Sequence, residues 1–229
     1  MLTFDFDRLP DRMKNEAVRK YCEKLKRKKL SLVLKRLLDV FVSLVLTVIL
    51  SPILVLISLI VVIDSKGPVF YRQERITKNM KTFRIFKFRT MVDKADRIGP
   101  LVTTDNDSRI TRVGRILRKV RLDELPQLFN ILAGDMTLVG TRPEVKKYVD
   151  RYTDEMMATL LLPAGVTSTA SIMYKDESEL LDKADDPDRV YVEKILPEKM
   201  KYNLEYLDSF SFVKDIGILI STVVAVLRR

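Results

Sequence analysis

Residues Val40 to Ile63 read VFVSLVLTVILSPILVLISLIVVI, without a single charged side chain. A helix that crosses the bilayer core needs ~20 apolar residues, so this stretch is long enough to enter a membrane. A chain of 229 residues has too little other surface to wrap so apolar a helix on every side. The stretch lies too far along for a cleaved signal peptide, and no small-residue cleavage site follows it. Basic residues flank it at both ends: Lys26-Arg27-Lys28-Lys29 and Lys35-Arg36 before it, then Lys66, Arg72, Arg75, Lys78, Lys81, Arg84, Lys87 and Arg89 after it. Under the positive-inside rule both flanks stay cytoplasmic. Ser51-Pro52 stands near the midpoint, where proline removes a backbone hydrogen bond and kinks the helix. The serine hydroxyl can satisfy the carbonyl so freed. The residues leave two arrangements open: a kinked helix that spans, and one that bends at Ser51-Pro52 and returns to its own side.

Working outward, the balance of charge is +10, which calls for an anionic partner. Nucleic acid, phospholipid and nucleotide substrates fit that balance equally well. The chain has no histidine, which excludes Ser-His and Cys-His triads and every histidine-based metal site. Its one cysteine, Cys22, excludes an internal disulfide and a thiolate zinc site. A metal here is held by oxygen ligands, which favours magnesium or manganese.

The soluble remainder begins with a charge-mixed helix over residues 12 to 30. Gly67-Pro68 marks a turn, and the aromatic-rich runs Val69 to Ile76 and Lys81 to Met91 predict a β-hairpin around Thr77-Lys78-Asn79. Period-two geometry puts Phe83, Ile85, Lys87 and Arg89 on one face of the second strand. Lys87 and Arg89 can then point together at an anion, although two solvated charges fit the same pattern. Residues 92 to 108 are polar and loop-like. Asp105-Asn106-Asp107 matches the Asp-x-Asp pattern of metal-bound nucleotide sugars, but Asp107-Ser108 reads more simply as a helix N-cap. Arg109, Arg112, Arg115, Arg118 and Arg121 follow at every third position, opposite an apolar stripe of Ile110, Val113, Leu117 and Val120. Such a ridge can lie on anionic headgroups or cradle phosphates. Asp123-Glu124 then open a helix to about Ala133, with Gly134 as its C-cap. A lone acid there is usually a cap. Arginines on both sides, Arg142-Pro143 included, suggest phosphate chemistry instead, with carboxylates for metal or nucleophile and guanidiniums for phosphoryl oxygens. Two helices, Pro197 to Leu207 and Phe212 to Leu227, close the chain. The last is too short to cross a bilayer and is expected to pack on the domain or lie at the interface.

These residues resemble the bacterial sugar transferases, or monotopic phosphoglycosyl transferases. The likeness runs from Lys35 onward through Ser51-Pro52, Gly67-Pro68-Val69-Phe70-Tyr71-Arg72-Gln73-Glu74-Arg75 and Phe86-Lys87-Phe88-Arg89-Thr90-Met91. It continues in Arg109 to Arg115, Leu122-Asp123-Glu124-Leu125-Pro126-Gln127-Leu128-Phe129-Asn130, Gly134-Asp135-Met136 and Gly140-Thr141-Arg142-Pro143-Glu144. The resemblance implies transfer of a sugar-1-phosphate from a UDP-sugar to polyprenol (undecaprenyl) phosphate, with release of UMP. It implies Asp123 as nucleophile through a covalent phospho-sugar intermediate. Glu124 would assist with magnesium or with protons, the dyad holding Mg²⁺ (or Mn²⁺). Lys87, Arg89, Arg118 and Arg142 would line the phosphate site. It also implies a first membrane step of glycoconjugate, exopolysaccharide or O-antigen assembly.

The expected fold is therefore α+β and mostly helical. Residues 1–34 form a basic N-terminal helix and 35–64 a re-entrant membrane helix broken at Ser51-Pro52. Residues 65–229 form a small cytoplasmic catalytic domain carrying a β-hairpin and amphipathic interfacial helices. The expected location is the cytoplasmic face of the bacterial inner membrane. Partners are the two substrates and phospholipid, without nucleic acid, and a homodimer is compatible. Two places depart from the family pattern: Thr141 stands where proline is usual, and Pro163 to Ile172 reads differently, so the donor sugar is left unassigned. The competing readings are an Asp-x-Asp glycosyltransferase, which lacks a glycine-rich nucleotide turn, and a membrane-anchored basic adaptor.

Overall fold

The structure, a computed structural model, describes residues 5–95 and 107–227. It is mostly helical with two small sheets. Helix α1 (Glu16–Lys26) starts at Asn15, whose side chain accepts from the Val18 amide at 2.9 Å. It is shorter than the residue 12 to 30 expectation because the chain turns at Arg27-Lys28 and a new helix starts at Lys29. That helix, α2 (Lys29–Asp64), takes in the whole apolar stretch.

Ser51-Pro52 does not divide α2 into two helices, and the helical backbone continues through the pair. Pro52 lacks the N–H that would reach the Val48 carbonyl, and Ser51 Oγ donates to that same oxygen at 2.8 Å. Most of α2 is exposed, with Val48, Ile49, Val55, Leu56 and Ile63 among the bare side chains. Both ends are nevertheless bound to the same body. Toward the start, Leu32, Lys35, Asp39 and Ser43 are buried, and Arg36 donates to the Ile131 and Leu132 carbonyls. Toward the end, Leu54, Ile57 and Val61 pack with Phe88 and Leu117.

The hairpin forms as expected. Strands β1 (Phe70–Ile76) and β2 (Thr82–Phe88) pair antiparallel from Phe70 opposite Phe88 to Ile76 opposite Thr82. Their turn is a 3-10 segment, Lys78–Met80, in which Asn79 and Met80 take left-handed φ values of 54° and 58°. Helix α3 (Arg112–Lys119) is capped by Thr111, whose hydroxyl accepts from the Gly114 amide at 3.0 Å. Asp107, expected as the cap, instead binds the Arg109 amide and guanidinium. The helix expected from Asp123 to Ala133 is two pieces, a 3-10 turn (Leu122–Glu124) and α4 (Gln127–Ala133). Pro126 has no N–H to continue the first into the second. Gly134, at φ 90°, ends α4 as expected.

Strand β3 (Met136–Val139) pairs parallel with β4 (Ala164–Thr167). They are joined through α5 (Lys146–Val149) and a 3-10 segment, Met156–Leu161. The strands approach so closely that a Cβ on Gly165 would sit 2.2 Å from the Gly140 amide nitrogen. Short helices α6 (Thr169–Met173), α7 (Glu177–Asp182) and α8 (Pro187–Val190) follow. A π-turn (Tyr191–Ile195) then leads into α9 (Leu196–Asp208) and α10 (Phe212–Leu227). Helix α10 packs on α2 and β3 through Asp215 and Ile218, leaving Val213, Ile220 and Val223 bare.

Candidate active site

The site starts at a backbone irregularity. Arg121 adopts φ 55°, ψ 21°, a left-handed conformation uncommon for a side chain of its size. It turns the chain from α3 into the 3-10 turn that carries Asp123 and Glu124. Three elements converge there. From β2, Lys87 Nζ donates to Glu124 Oε1 at 2.8 Å. From the loop after β3, Arg142 Nη1 donates to Glu124 Oε2 at 3.2 Å and Nη2 donates to Oε1. Lys87 reaches this position because Phe83 and Ile85, on its face of the strand, are anchored in the core.

The two carboxylates are thereby differentiated. Burial pushes Glu124 up, but Arg142 and Lys87 outweigh it and hold the group well below the ordinary glutamate value. Asp123 is buried, and among the described residues no donor hydrogen-bonds to its carboxylate. Its pKa is raised, chiefly by burial, with Glu124 adding to the rise while Lys87, Arg118 and Arg142 oppose it. Lys87 is lowered, mainly by burial. The result is one carboxylate committed to two cations and a neighbour with free lone pairs in a positive field.

Arg118 stands at the edge of this group, its Nε donating to Thr90 Oγ1 at 2.9 Å. Arg89 does not join it. Arg89 is buried, donating to the Val61 and Ser65 carbonyls at 3.3 and 2.5 Å, and so caps the end of α2. Strand β2 ends at Phe88, so the alternation that aligned Arg89 with Lys87 no longer applies. The arginine ridge is likewise divided. Arg109 turns to Asp107 and Arg121 to the Lys175 carbonyl, while Arg112 and Arg115 face outward beside Ile116. Asp105 and Asn106 lie outside the described residues. A cleft of about 470 Å³ opens elsewhere, between the hairpin turn and Gly134-Asp135, and includes none of the dyad residues.

No cluster of three or more carboxylate or thiol side chains gathers to cage a metal among the described residues. Magnesium commonly takes one or two carboxylates plus substrate phosphates, and an unbonded Asp123 beside Glu124 fits that mode of binding.

The sequence profile described as "Bacterial sugar transferase" matches residues 30–229. The chain belongs to the bacterial sugar transferase family. It is 32% identical over 197 residues to the UDP-N-acetylgalactosamine-undecaprenyl-phosphate N-acetylgalactosaminephosphotransferase of Aeromonas hydrophila, covering 85% of this chain and 44% of that protein. It is 34% identical over 198 residues to the UDP-glucose:undecaprenyl-phosphate glucose-1-phosphate transferase of Klebsiella pneumoniae, covering 85% and 40%. It is 36% identical over 210 residues to the exopolysaccharide production protein PSS of Rhizobium leguminosarum bv. phaseoli, covering 87% and 98%. The chain thus spans less than half of the first two relatives and nearly all of the third.

At this candidate site, sequence reasoning missed the groups that hold the named residues in place. Asn130 is one: its Oδ1 accepts from the Phe86 amide at 2.8 Å and its Nδ2 donates to the Arg84 carbonyl at 3.1 Å, fixing α4 to β2. Thr90, the partner of Arg118, is another. Both lie inside the blocks of family resemblance, but nothing in their spacing reveals a partner so distant in sequence.

Proposed function

We propose that this sugar transferase moves a sugar-1-phosphate from a UDP-sugar to a polyprenol phosphate at the membrane surface. An Asp123 carboxylate oxygen attacks the sugar-bearing phosphorus of the donor. The diphosphate P–O bond breaks, and UMP leaves with the electron pair. An oxygen of polyprenol phosphate then attacks the same phosphorus, giving polyprenyl diphospho-sugar and regenerating Asp123. The observation that carries this reading is the division of labour in the dyad. Lys87 and Arg142 neutralise Glu124, and Asp123 is left unbonded. Arg142 and Arg118 offer planar donors for the diphosphate oxygens, so the catalysis is largely positioning and electrostatics. Magnesium, held by Asp123 and Glu124 together with the diphosphate, would supply charge neutralisation for the departing UMP.

The same reading makes α2 re-entrant, with the domain on the cytoplasmic face of the inner membrane. A straight helix of 36 residues would be ~54 Å long. Its two ends would emerge on opposite sides of a bilayer, whereas both ends of α2 are buried against one body. The names of the Aeromonas and Klebsiella relatives support the substrate classes and leave the sugar used here open.

The test is intact-protein mass after incubating detergent-solubilised protein with Mg²⁺ and a panel of UDP-sugars, without lipid acceptor. A gain of one phospho-sugar, absent in Asp123→Asn, is the expected result. UMP release on adding polyprenol phosphate, without any adduct, would keep the reaction and remove Asp123 as nucleophile. Release of UDP would support an Asp-x-Asp glycosyltransferase instead.

A further inference from the structure

Arg142 projects from a loop that is fixed on both sides. The Gly140 amide donates to the Thr167 carbonyl at 2.9 Å, and the Thr141 carbonyl accepts from the Gly165 amide at 2.8 Å. Beyond Arg142, the Pro143 carbonyl accepts from Arg75 Nη1 at 3.2 Å, and the Glu144 carbonyl accepts from the Ile76 amide at 2.9 Å. The Glu144 side chain turns away from the dyad into a buried cluster. Tyr191 donates its hydroxyl to Oε1 at 2.5 Å, Lys199 Nζ lies 3.9 Å from the same oxygen, and Arg75 Nη1 is 4.0 Å from Oε2. Lys199 also donates to Glu177 Oε2 at 2.8 Å and to Tyr191 Oη at 3.3 Å. Glu144 is 7% exposed and Lys199 5%.

A buried charged cluster is a poor source of net stability, because desolvation cancels most of the attraction, whereas hydrophobic residues of the same volume would pack at lower cost. Directional bonds provide what such packing does not: a single geometry. Here β1 and the contiguous π-turn and α9, each distant in sequence from Glu144, surround one carboxylate two residues from the arginine that meets the dyad, Tyr191 by a directional bond and Arg75 and Lys199 by charge. We infer that Glu144 is a positioning residue, and that Arg75, Tyr191 and Lys199 clamp it so that Arg142 is aimed at Glu124 and at the phosphate it neutralises. The inference rests on the proposed reaction for its kinetic test only, since the clamp itself is a matter of geometry.

A double-mutant cycle tests it. In the wild-type background, Glu144→Gln is expected to lower kcat/KM for the UDP-sugar by about tenfold, because small misplacement of a phosphate-holding group is costly. In an Arg142→Lys background the same change should have almost no effect, because the group being aimed is already compromised. Equal losses in both backgrounds, or no loss in the first, would overturn the inference. Tyr191→Phe removes one hydroxyl from the clamp and repeats the cycle if Glu144→Gln does not fold. Hydrogen exchange of residues 138–147 reads the clamp without turnover. Faster exchange confined to this segment in either variant is expected, and unchanged exchange counts against the clamp. An inactive wild type would reject the proposed reaction, while the exchange result would still decide the clamp.

Discussion

Asp123 and Glu124 are adjacent and chemically alike, yet their surroundings pull their proton affinities apart. Asp123 is raised by burial, so its ionised form, the nucleophile of the proposed reaction, is lost on acidification at a pH above the ordinary aspartate value of ~3.9. Lys87 is lowered by burial, so its charge is lost on the alkaline side below the ordinary lysine value of ~10.4. Turnover should therefore follow a bell whose acid limb belongs mainly to Asp123 and whose alkaline limb belongs mainly to Lys87. Lys87→Arg should abolish the alkaline limb and leave the acid limb in place, as measured by kcat/KM against pH. An unchanged alkaline limb would reassign it to another group. At this scale the carboxylate pair and its neighbouring arginines were legible in the sequence, because they form a local pattern, and the structure brings Lys87 and Arg142 to Glu124. The sequence placed Arg89 beside Lys87, however, because strand alternation says nothing about where the strand stops.

At the scale of elements, α2 and α3 set where the site sits. Helix α3 lies against the hairpin's exit through Gly114, where an added Cβ would come 2.0 Å from the Thr90 carbonyl oxygen. Gly114→Ala should push the helix outward, cost about 3 kcal/mol, and lower turnover as Arg118 loses Thr90. Thermal denaturation and steady-state rates read the two effects separately. For α2, single cysteines at Lys28 and Lys66, both exposed, report the sidedness of each flank in a Cys22→Ser background. Both should be labelled only from the cytoplasmic side in intact spheroplasts, and labelling of one from outside would make α2 a spanning helix. The length and apolarity of this helix were legible in Val40 to Ile63. The expected break at Ser51-Pro52 does not divide it, and the serine hydroxyl bonds the Val48 carbonyl that the proline frees, as its chemistry suggests.

Across the whole molecule, α2 is tied to the catalytic half by a polar knot. Lys35 Nζ donates to the Val139 carbonyl at 2.5 Å and to Asp215 Oδ2 at 2.8 Å, and Tyr206 donates to Asp215 Oδ1 at 2.7 Å. Asp39 accepts from Thr137 Oγ1 at 2.6 Å and from the Leu138 amide at 2.9 Å. The long apolar helix thus bonds directly to β3, the strand that leads into the Arg142 loop. Lys35→Met leaves Asp215 buried without its cation and should destabilise the fold by roughly 3–5 kcal/mol. A melting temperature within a degree of wild type in detergent would refute that role.

The sequence by itself determined the classes of part: an apolar helix with basic ends, a hairpin, a carboxylate pair among arginines, and the lack of any histidine. These follow from composition and short-range periodicity, which act over a few residues. Only the tertiary structure decided which cations meet Glu124, that Arg89 caps a helix, and that Glu144 is held by Arg75, Tyr191 and Lys199. Those pairings join residues 18 or more positions apart. They arise from how the helices and strands pack, which no local pattern encodes.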